Sequence, residues 1–398
     1  MLAAFSSSCA AVALLLLLSL RGQDTPRGIP AGEFEERRAR LMERIKDGPG
    51  VLDSGPVGRP AAAYDFRYLF NYHEEDAVAV FSDGKVHLFV KDTKAAAEKS
   101  GLAGVRARSE FEAFAEEDFP KAAKVYTRLR AANLEVVKKH AAKVVGTLGD
   151  EVTRLRLIKS KAEQEMTRTA TRISCEAHVK ALKALRPGMN EKDIQKIYQE
   201  EFKAQGAVAG YGYICGAGIN GCTLHYSAND KEIPEDTLMV CDCGAAYAGY
   251  VADVTRTFPT GGKFSKEQAS KYQLVRDAQT AAEKLLKPGA TQRQLHAAAA
   301  QVFADAGQTK WAFSHSEDPQ VRHGLGHFVG LYVHDSGSGT TKLEPGMVIT
   351  IEPGWYDKDQ KWGIRIEDMY LVTKDGFERL SAGAPREIEE IEKAMTRK

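Results

Sequence analysis

Two stretches of this chain recur at nearly the same offset, and the recurrence restricts the folds open to it. Leu185-Arg-Pro-Gly-Met-Asn-Glu-Lys-Asp-Ile194 returns 101 residues later as Leu286-Lys-Pro-Gly-Ala-Thr-Gln-Arg-Gln-Leu295. Ile233 to Asp242, IPEDTLMVCD, returns 110 residues later as Leu343 to Glu352, LEPGMVITIE. The first unit reads as a helix end, a Pro-Gly turn and a new helix, with Asn190 and Asp193, or Thr291 and Gln294, in capping-box positions. The second reads as a turn, an apolar strand and a terminal carboxylate. Two units repeated in the same order predict a pseudo-symmetric α+β domain. Its symmetry brings Asp242 and Glu352 to corresponding places around one centre.

The stretch Leu238 to Pro259, LMVCDCGAAYAGYVADVTRTFP, extends the pattern. Leu238-Met239-Val240 reads as a buried strand that ends in Asp242. Gly244 and Gly249 bracket a short turn, and Asp253 follows in the β-branched segment Val251 to Thr257. Carboxylates on adjacent strands can face one pocket, where they repel each other until a cation lies between them. Taken alone, the stretch also fits a strand-end Asp beside a surface Asp. Cys241 and Cys243 share one face of the strand and Asp242 takes the other, so the cysteines are expected to be small apolar core residues. With Cys175, Cys215 and Cys222 they make an odd set with no disulfide spacing.

Three further groups join the two acids: His327 in HGLGH, Glu352 before Pro353-Gly354, and Glu367 in GIRIED. Four carboxylates and one imidazole, with no thiolate, form a hard site suited to Mn(II), with Co(II), Fe(II) or Zn(II) also admissible. One small cation uses five such side chains poorly, whereas two can share them if carboxylates bridge. Such a pair polarises a carbonyl and holds a hydroxide nucleophile at neutral pH. His323 and His327 lie four apart, and Gly324 and Gly326 disfavour a helix between them. On a strand both would face one pocket, where His225 and His334 are expected to join them.

The 398-residue chain as a whole bounds the answer. Its length favours two domains. Lys+Arg at 55 and Asp+Glu at 54 argue against nucleic acid as a main partner. Leu2 to Leu20 carries no charge, and its core AAVALLLLLSL has the length of a signal-peptide h-region. Residues 1–22 therefore predict export to a periplasmic or extracellular site. An uncleaved membrane anchor, or a mis-called start and a cytoplasmic protein, are the alternatives. Residues 30–150 predict a small α/β domain. Phe34 to Ile45 is expected as a helix; DFRYLFNY, AVAVF and KVHLFV as strands; Ser82-Asp83-Gly84-Lys85 as a hairpin turn. Helices are expected over Glu110 to Phe119 and Ala131 to Ala142. Glu151 to Leu185 reads as one or two helices, and residues 155–392 as the second domain. No GxSxG elbow, P-loop or Rossmann GxGxxG is present.

The blocks LHYSAND (224–230), DCGAAYAGYVADVTRTFP (242–259), HGLGHFVGLYVH (323–334), EPGMVITIEPG (344–354) and GIRIED (363–368) resemble the signatures of the creatinase/aminopeptidase P/prolidase/methionine aminopeptidase family, peptidase family M24. The resemblance covers about residues 160–385 and implies the pita-bread fold. The N-terminal unit is similar to the extra α/β domain of the Xaa-Pro peptidases. Carried over by position, the resemblance implies that Asp242 binds one metal, Asp253 and Glu367 bridge two, and His327 and Glu352 complete the other. Glu352 would also be general base. His225, His323 and His334 would line the substrate pocket, and Arg365 would orient the acids. The implied activity is that of an Xaa-Pro aminopeptidase acting on a peptide with proline in second position, with an Xaa-Pro dipeptidase as the alternative. A homo-oligomer, dimer or tetramer, is expected. A metal-free creatinase-like amidinohydrolase and a non-catalytic interaction protein are disfavoured, because all five ligand positions are retained.

Overall fold

The computed structural model describes residues 28–55 and 60–396. The apolar segment expected to direct export lies outside them. Among the described residues no helix is long and apolar enough to cross a membrane. The chain divides into two compact units, one up to Leu157 and one from Ile158 onward.

The first unit is an α/β layer. Helix α1 (Ala31–Arg44) leads to β1 (Gly50–Asp53), α2 (Pro60–Phe70), β2 (Val78–Ser82), β3 (Lys85–Val90) and α3 (Thr93–Ser100). Then come β4 (Val105–Ala107), α4 (Phe111–Asp118), β5 (Val125–Arg128), α5 (Ala131–His140), β6 (Val144–Val145) and α6 (Leu148–Leu157). The six strands form one sheet in the order β4-β3-β2-β1-β5-β6. Asp83 and Gly84, at φ 51° and 72°, make the expected hairpin turn, with Ser82 opposite Lys85. Val51, Val80, Phe89, Phe111, Phe114 and Phe119 belong to one apolar cluster that joins the sheet to α4.

One expectation fails here. The segment DFRYLFNY is not a strand; residues 65–70 complete α2. Asp65, Phe66, Tyr68, Leu69 and Phe70 are all buried. A helix enclosed on every side loses the polar face that gives helical periodicity, and its aromatic run then reads as a strand. Asp65 is tolerated inside because Arg128 and Arg156 both pair with it.

The second unit starts with α7 (Lys161–Ala184), which Ser160 and Glu163 cap reciprocally. The two-helix reading of Glu151 to Leu185 therefore holds. Helix α8 (Glu191–Ala204), β7 (Val208–Ala209), β8 (Ile214–Ala217), β9 (Leu238–Asp242), β10 (Ala245–Tyr247), β11 (Tyr250–Val251) and β12 (Thr255–Pro259) make the first half. Helices α9 (Lys266–Glu283) and α10 (Gln292–Asp305), strands β13 (Val348–Ile351), β14 (Gly354–Asp357), β15 (Trp362–Arg365), β16 (Asp368–Val372) and β17 (Phe377–Arg379), and helix α11 (Ile388–Met395) make the second.

The echoes are structural. Asn190 and Asp193 cap α8 as a capping box, and Thr291 and Gln294 do the same for α10. Gly188 and Gly289 both sit in the left-handed region, at φ 80° and 87°. Their N–H groups bond the carbonyls of Ile233 and Leu343, the first residues of the second echo. Strand β9 lies between β8 and β12, all antiparallel. Strand β13 pairs β16 on one side, and on the other takes the irregular segment 325–329 through bonds from Thr350, Val329 and Glu352 N–H groups. That segment is the counterpart of β8. A bridge between Thr255 and Glu367 joins the two halves.

Beneath that bridge lies Arg256, fully buried. Its Nε bonds Pro385 O at 2.9 Å, and Nη1 bonds Thr255 O at 2.9 Å and Glu367 O at 2.6 Å. Nη2 bonds Asp368 Oδ1 at 2.7 Å and Ala384 O at 3.0 Å. All five guanidinium donors are satisfied, so this one side chain ties β12, the residue before β16 and the segment ahead of α11 together. Arg256→Leu strands buried Asp368 with fewer partners and is expected to cost about 3–5 kcal/mol. Urea unfolding followed by tryptophan fluorescence checks it, because Trp311, Trp355 and Trp362 all report on this unit.

Candidate metal centre

The antiparallel pairing of β9 and β12 puts Asp242 opposite Thr255, with Asp253 two residues before it. The chain turns between them at Ala248-Gly249, at φ 51° and 90°, where β10 folds back on β11. Gly244 is needed for a different reason from the expected turn. A Cβ there would stand 1.8 Å from Ala252 O, so only glycine lets the returning strand pass this close. The cysteines behave as expected: Cys241 and Cys243 are buried opposite Asp242, and burial pushes both thiols up.

Glu352 follows β13 and Glu367 precedes β16. His327 arrives on the irregular segment, which corrects the strand expected over His323 to His327. Gly326 is the reason: a Cβ there would stand 2.1 Å from Thr350 O. The segment instead presses its backbone against β13, with His327 O accepting from Thr350 N at 2.9 Å. The carboxylates of Asp253 and Glu367 and the His327 ring offer ligand atoms all within 4.8 Å of one another. His327 Nε2 lies 3.3 Å from Asp253 Oδ2 and 3.3 Å from Glu352 Oε1. Asp242 flanks this group, joined to Asp253 through Tyr211, whose hydroxyl lies 2.6 Å from Asp242 Oδ1 and 2.5 Å from Asp253 Oδ1.

All nine candidate residues line one cavity of about 260 Å³: the five ligands with His225, His323, His334 and Arg365. Leu224 is its only apolar side chain among the described residues. His334 is exposed as a residue, but its ring packs 4.4 Å from that of His327 and is partly desolvated there. Three residues that sequence reasoning missed hold the acids in place. Tyr211 is one. Thr255 donates to Glu367 Oε2 at 2.7 Å. Tyr356 accepts from Arg365 Nη1 at 3.1 Å, while Arg365 Nη2 bonds Asp242 Oδ2 at 2.9 Å. Thr255 lies inside a quoted block and Tyr356 two residues after one. Neither is an acid or a histidine, so no spacing argument selected them.

The electrostatics ask for a cation. Burial raises Glu367 well above its ordinary value, and Asp253 and Glu352 push it further. Burial and neighbouring Asp242 push Asp253 up to about 6. Tyr211 has one proton for two carboxylates, consistent with a second proton on Asp253 when no ion is present. Burial would lower His327, but Asp253 and Glu352 outweigh it and hold the ring well above the usual range. The decisive atom is Glu367 Oε1, a buried carboxylate oxygen with no hydrogen-bond partner among the described residues. Buried charge without a partner is too costly to keep unless a metal takes it. The residues present therefore fit divalent ions.

The sequence matches metallopeptidase family M24 over residues 165–374. The chain belongs to this family. It is 32% identical to the mitochondrial intermediate cleaving peptidase 55 of Arabidopsis thaliana, over 94% of this chain and 85% of that protein. It is 35% identical to the Xaa-Pro aminopeptidase of Escherichia coli K12, over 61% of this chain and 60% of that enzyme. Aminopeptidase PepP of Pseudomonas aeruginosa superposes with a TM-score of 0.82 at 28% identity, covering 92% of this chain and 98% of that one. Zinc-substituted E. coli aminopeptidase P in complex with product superposes at 0.79 and 29%, with the same coverage. The expected fold is therefore observed: an N-terminal α/β domain followed by the M24 pita-bread domain. The chain is an M24 metallopeptidase of the aminopeptidase P type, a hydrolase in a family that binds divalent metals.

Two outcomes follow for this M24 centre. Ion binding must displace protons from Asp253, Glu367 and His327, all raised in the ion-free protein. Affinity for Mn(II), measured by calorimetry, is expected to fall as pH drops through about 6 and to rise again towards pH 8. Glu367→Ala is expected to lose bound metal and hydrolysis together while circular dichroism and the tryptophan signal stay unchanged.

Proposed function

We infer that this peptidase removes the N-terminal residue from peptides carrying proline in second position, using two divalent ions of which manganese is the first candidate. Asp242 would hold one ion, Asp253 and Glu367 both, and His327 and Glu352 the other. When bound, the ions supply a Lewis acid for the scissile carbonyl and an activated water at neutral pH. The chain's own groups do the rest. In the ion-free protein burial works against a charge on Glu352, but bonded, protonated His327 outweighs it and holds the carboxyl down at about 2. His327 gives up its proton on binding an ion, which removes that downward pull, so Glu352 would regain basicity and accept a proton from the attacking water. The leaving proline nitrogen, a tertiary amide with no N–H, must gain a proton as it departs, and the one Glu352 has taken from the water would be passed to it. His334, at the mouth of the cavity, is pushed down to about 4 by burial and by His327. Neutral at pH 7, it offers one N–H donor to the peptide beside the leaving nitrogen.

One observation favours an aminopeptidase over a dipeptidase. Arg365 is the only permanent cation lining the cavity among the described residues. It is already committed to Asp242 and Tyr356, with Nε 3.4 Å from Thr255 Oγ1. His323 is pushed down to about 4 by burial, as is His334, so neither brings positive charge at neutral pH. A dipeptide carries its free carboxylate on the proline itself, next to the scissile bond. Here it would enter an acid-rich cavity whose one permanent side-chain cation is already committed. A longer peptide presents a neutral amide at that place. Similarity to the Xaa-Pro aminopeptidases supports the same reading, while the human Xaa-Pro dipeptidase, 30% identical, keeps the rival in view.

The test is a panel of Xaa-Pro di-, tri- and pentapeptides with Xaa-Ala controls, run beside metal analysis of the purified protein. Tri- and pentapeptides are expected to be cleaved with higher kcat/KM than dipeptides, and Xaa-Pro in preference to Xaa-Ala. Faster dipeptide cleavage would make it a dipeptidase; equal cleavage of Xaa-Ala would remove proline from the proposal. His334→Ala is expected to retain its metal and lose about a hundredfold in turnover. Loss of metal in that variant would show that its role has been misassigned.

A further inference from the structure

Outside the acid cage the second unit holds another fully buried carboxylate. Glu191 stands at the first position of α8, with none of its surface exposed. Its two oxygens accept four hydrogen bonds, none of them from a residue of the acid cage. Oε1 takes Ala217 N–H at 2.9 Å and Asn220 Nδ2 at 2.9 Å. Oε2 takes the Tyr226 hydroxyl at 2.7 Å and Lys231 N–H at 3.1 Å. A buried carboxylate reaches this degree of satisfaction only where the chain is arranged around it.

All four donors belong to one segment. Residues 217–231 leave the end of β8 and carry Leu224 and His225 to the cavity wall before β9 begins. Past Cys222 the segment has no ladder of its own. Its local backbone bonds are Thr223 N–H to Asn220 O and Tyr226 N–H to Thr223 O. Its shape is set from below, by α8. Glu191 holds Ala217, Asn220, Tyr226 and Lys231. Asn229, buried at φ 46°, holds the far side through Gln195, Tyr213 O and Cys215 N–H. Leu224 and His225 lie between the contacts at Asn220 and Tyr226, and Tyr226 directly follows His225.

We propose that Glu191 is a positioning residue: through Tyr226 and Asn220 it fixes the segment that presents Leu224 and His225 to the peptide. The pseudo-symmetry sharpens the point. Gln292 occupies the matching position on α10, and its Nε2 is buried with no hydrogen-bond partner among the described residues. The second half thus has no counterpart of this anchor. The inference rests on the peptidase reading above, because it assigns His225 and Leu224 to substrate.

The experiment uses the full-length, manganese-loaded chain and an Xaa-Pro tripeptide, with Glu191→Gln, Tyr226→Phe and His225→Ala alone and in pairs. Glu191→Gln and Tyr226→Phe are each expected to lower kcat/KM by about tenfold or more with ion content unchanged, as displaced substrate-binding groups do. In the His225→Ala background both are expected to have almost no further effect, because a misplaced and a missing ring are equivalent. Effects that multiply independently of His225, or that bring loss of ions, would reduce Glu191 to a stability role and overturn the proposal. Hydrogen exchange supplies a readout free of activity. Glu191→Gln should speed exchange over residues 217–231 and leave 323–336 unchanged, and unchanged exchange in 217–231 would overturn the proposal. If Glu191→Gln does not fold, Tyr226→Phe carries both measurements. A wild-type chain inactive on every Xaa-Pro peptide would sink the function, and the exchange result would still decide the role of Glu191.

Discussion

Four carboxylates around one imidazole, three of them buried and Glu352 half-buried, cannot stay together on their own. Each loses its hydration on burial, and each raises the cost of ionising the next, as the upward shifts of Asp253 and Glu367 record. The second unit is built to hold that unfavourable arrangement until cations resolve it. Its neighbours satisfy selected oxygens. Thr255 occupies Oε2 of Glu367, Arg365 occupies Oδ2 of Asp242, and Tyr211 spans Oδ1 of Asp242 and Asp253. Glu367 Oε1 is left bare. Thr255 and Arg365 thus orient Glu367 and Asp242 from strands, which are stiffer supports than loops, while Tyr211 reaches in from the bend between β7 and β8.

Duplication explains how distant residues come to share the centre. Each half ends a central strand in an acid, Asp242 or Glu352, and flanks it with two antiparallel partners. The halves then differ where chemistry requires it. β8 is a regular strand, whereas its counterpart 325–329 is irregular and glycine-bounded, and it delivers His327 where the first half delivers no ligand. The join between halves, Thr255 to Glu367, includes an acid of the cage and sits on Arg256. Packing and ligand geometry therefore converge on the same few residues.

Much of this was legible in the sequence because the signals were of kinds that sequence carries well. The offsets of 101 and 110 residues exposed the symmetry, the capping boxes fixed α8 and α10, and acid-ended apolar runs pointed to Asp242 and Glu352. What was missed has a common cause. Arg256, Glu191 and Tyr211 act through partners far away in the chain, Arg256 on Glu367 and Pro385, Glu191 on Tyr226 and Lys231, Tyr211 on Asp242. Sequence proximity says nothing about such pairs, and tyrosine or arginine alone is too common to flag. Helix α2 was misread for the opposite reason: enclosure on all sides erased the periodicity that identifies a helix. The histidine segment was misread because glycines that forbid a helix do not by themselves create a strand.

The charged groups of the cavity are almost all committed before a peptide arrives. Arg365 is held by Asp242 and Tyr356, His327 by Asp253 and Glu352, and burial keeps His323 and His334 neutral near pH 7. Leu224, His225 and His334 line the same cavity without a place in the acid cage. Side chains that act by shape and by single hydrogen bonds, which fall off within fractions of an ångström, need tighter placement than a Coulomb contact requires. The two sets are supported differently. The ligands ride on strands and their immediate ends, whereas Leu224 and His225 ride on a connecting segment that has no ladder. A carboxylate at the start of α8, bonded four times to that segment, supplies the rigidity that a strand would otherwise give.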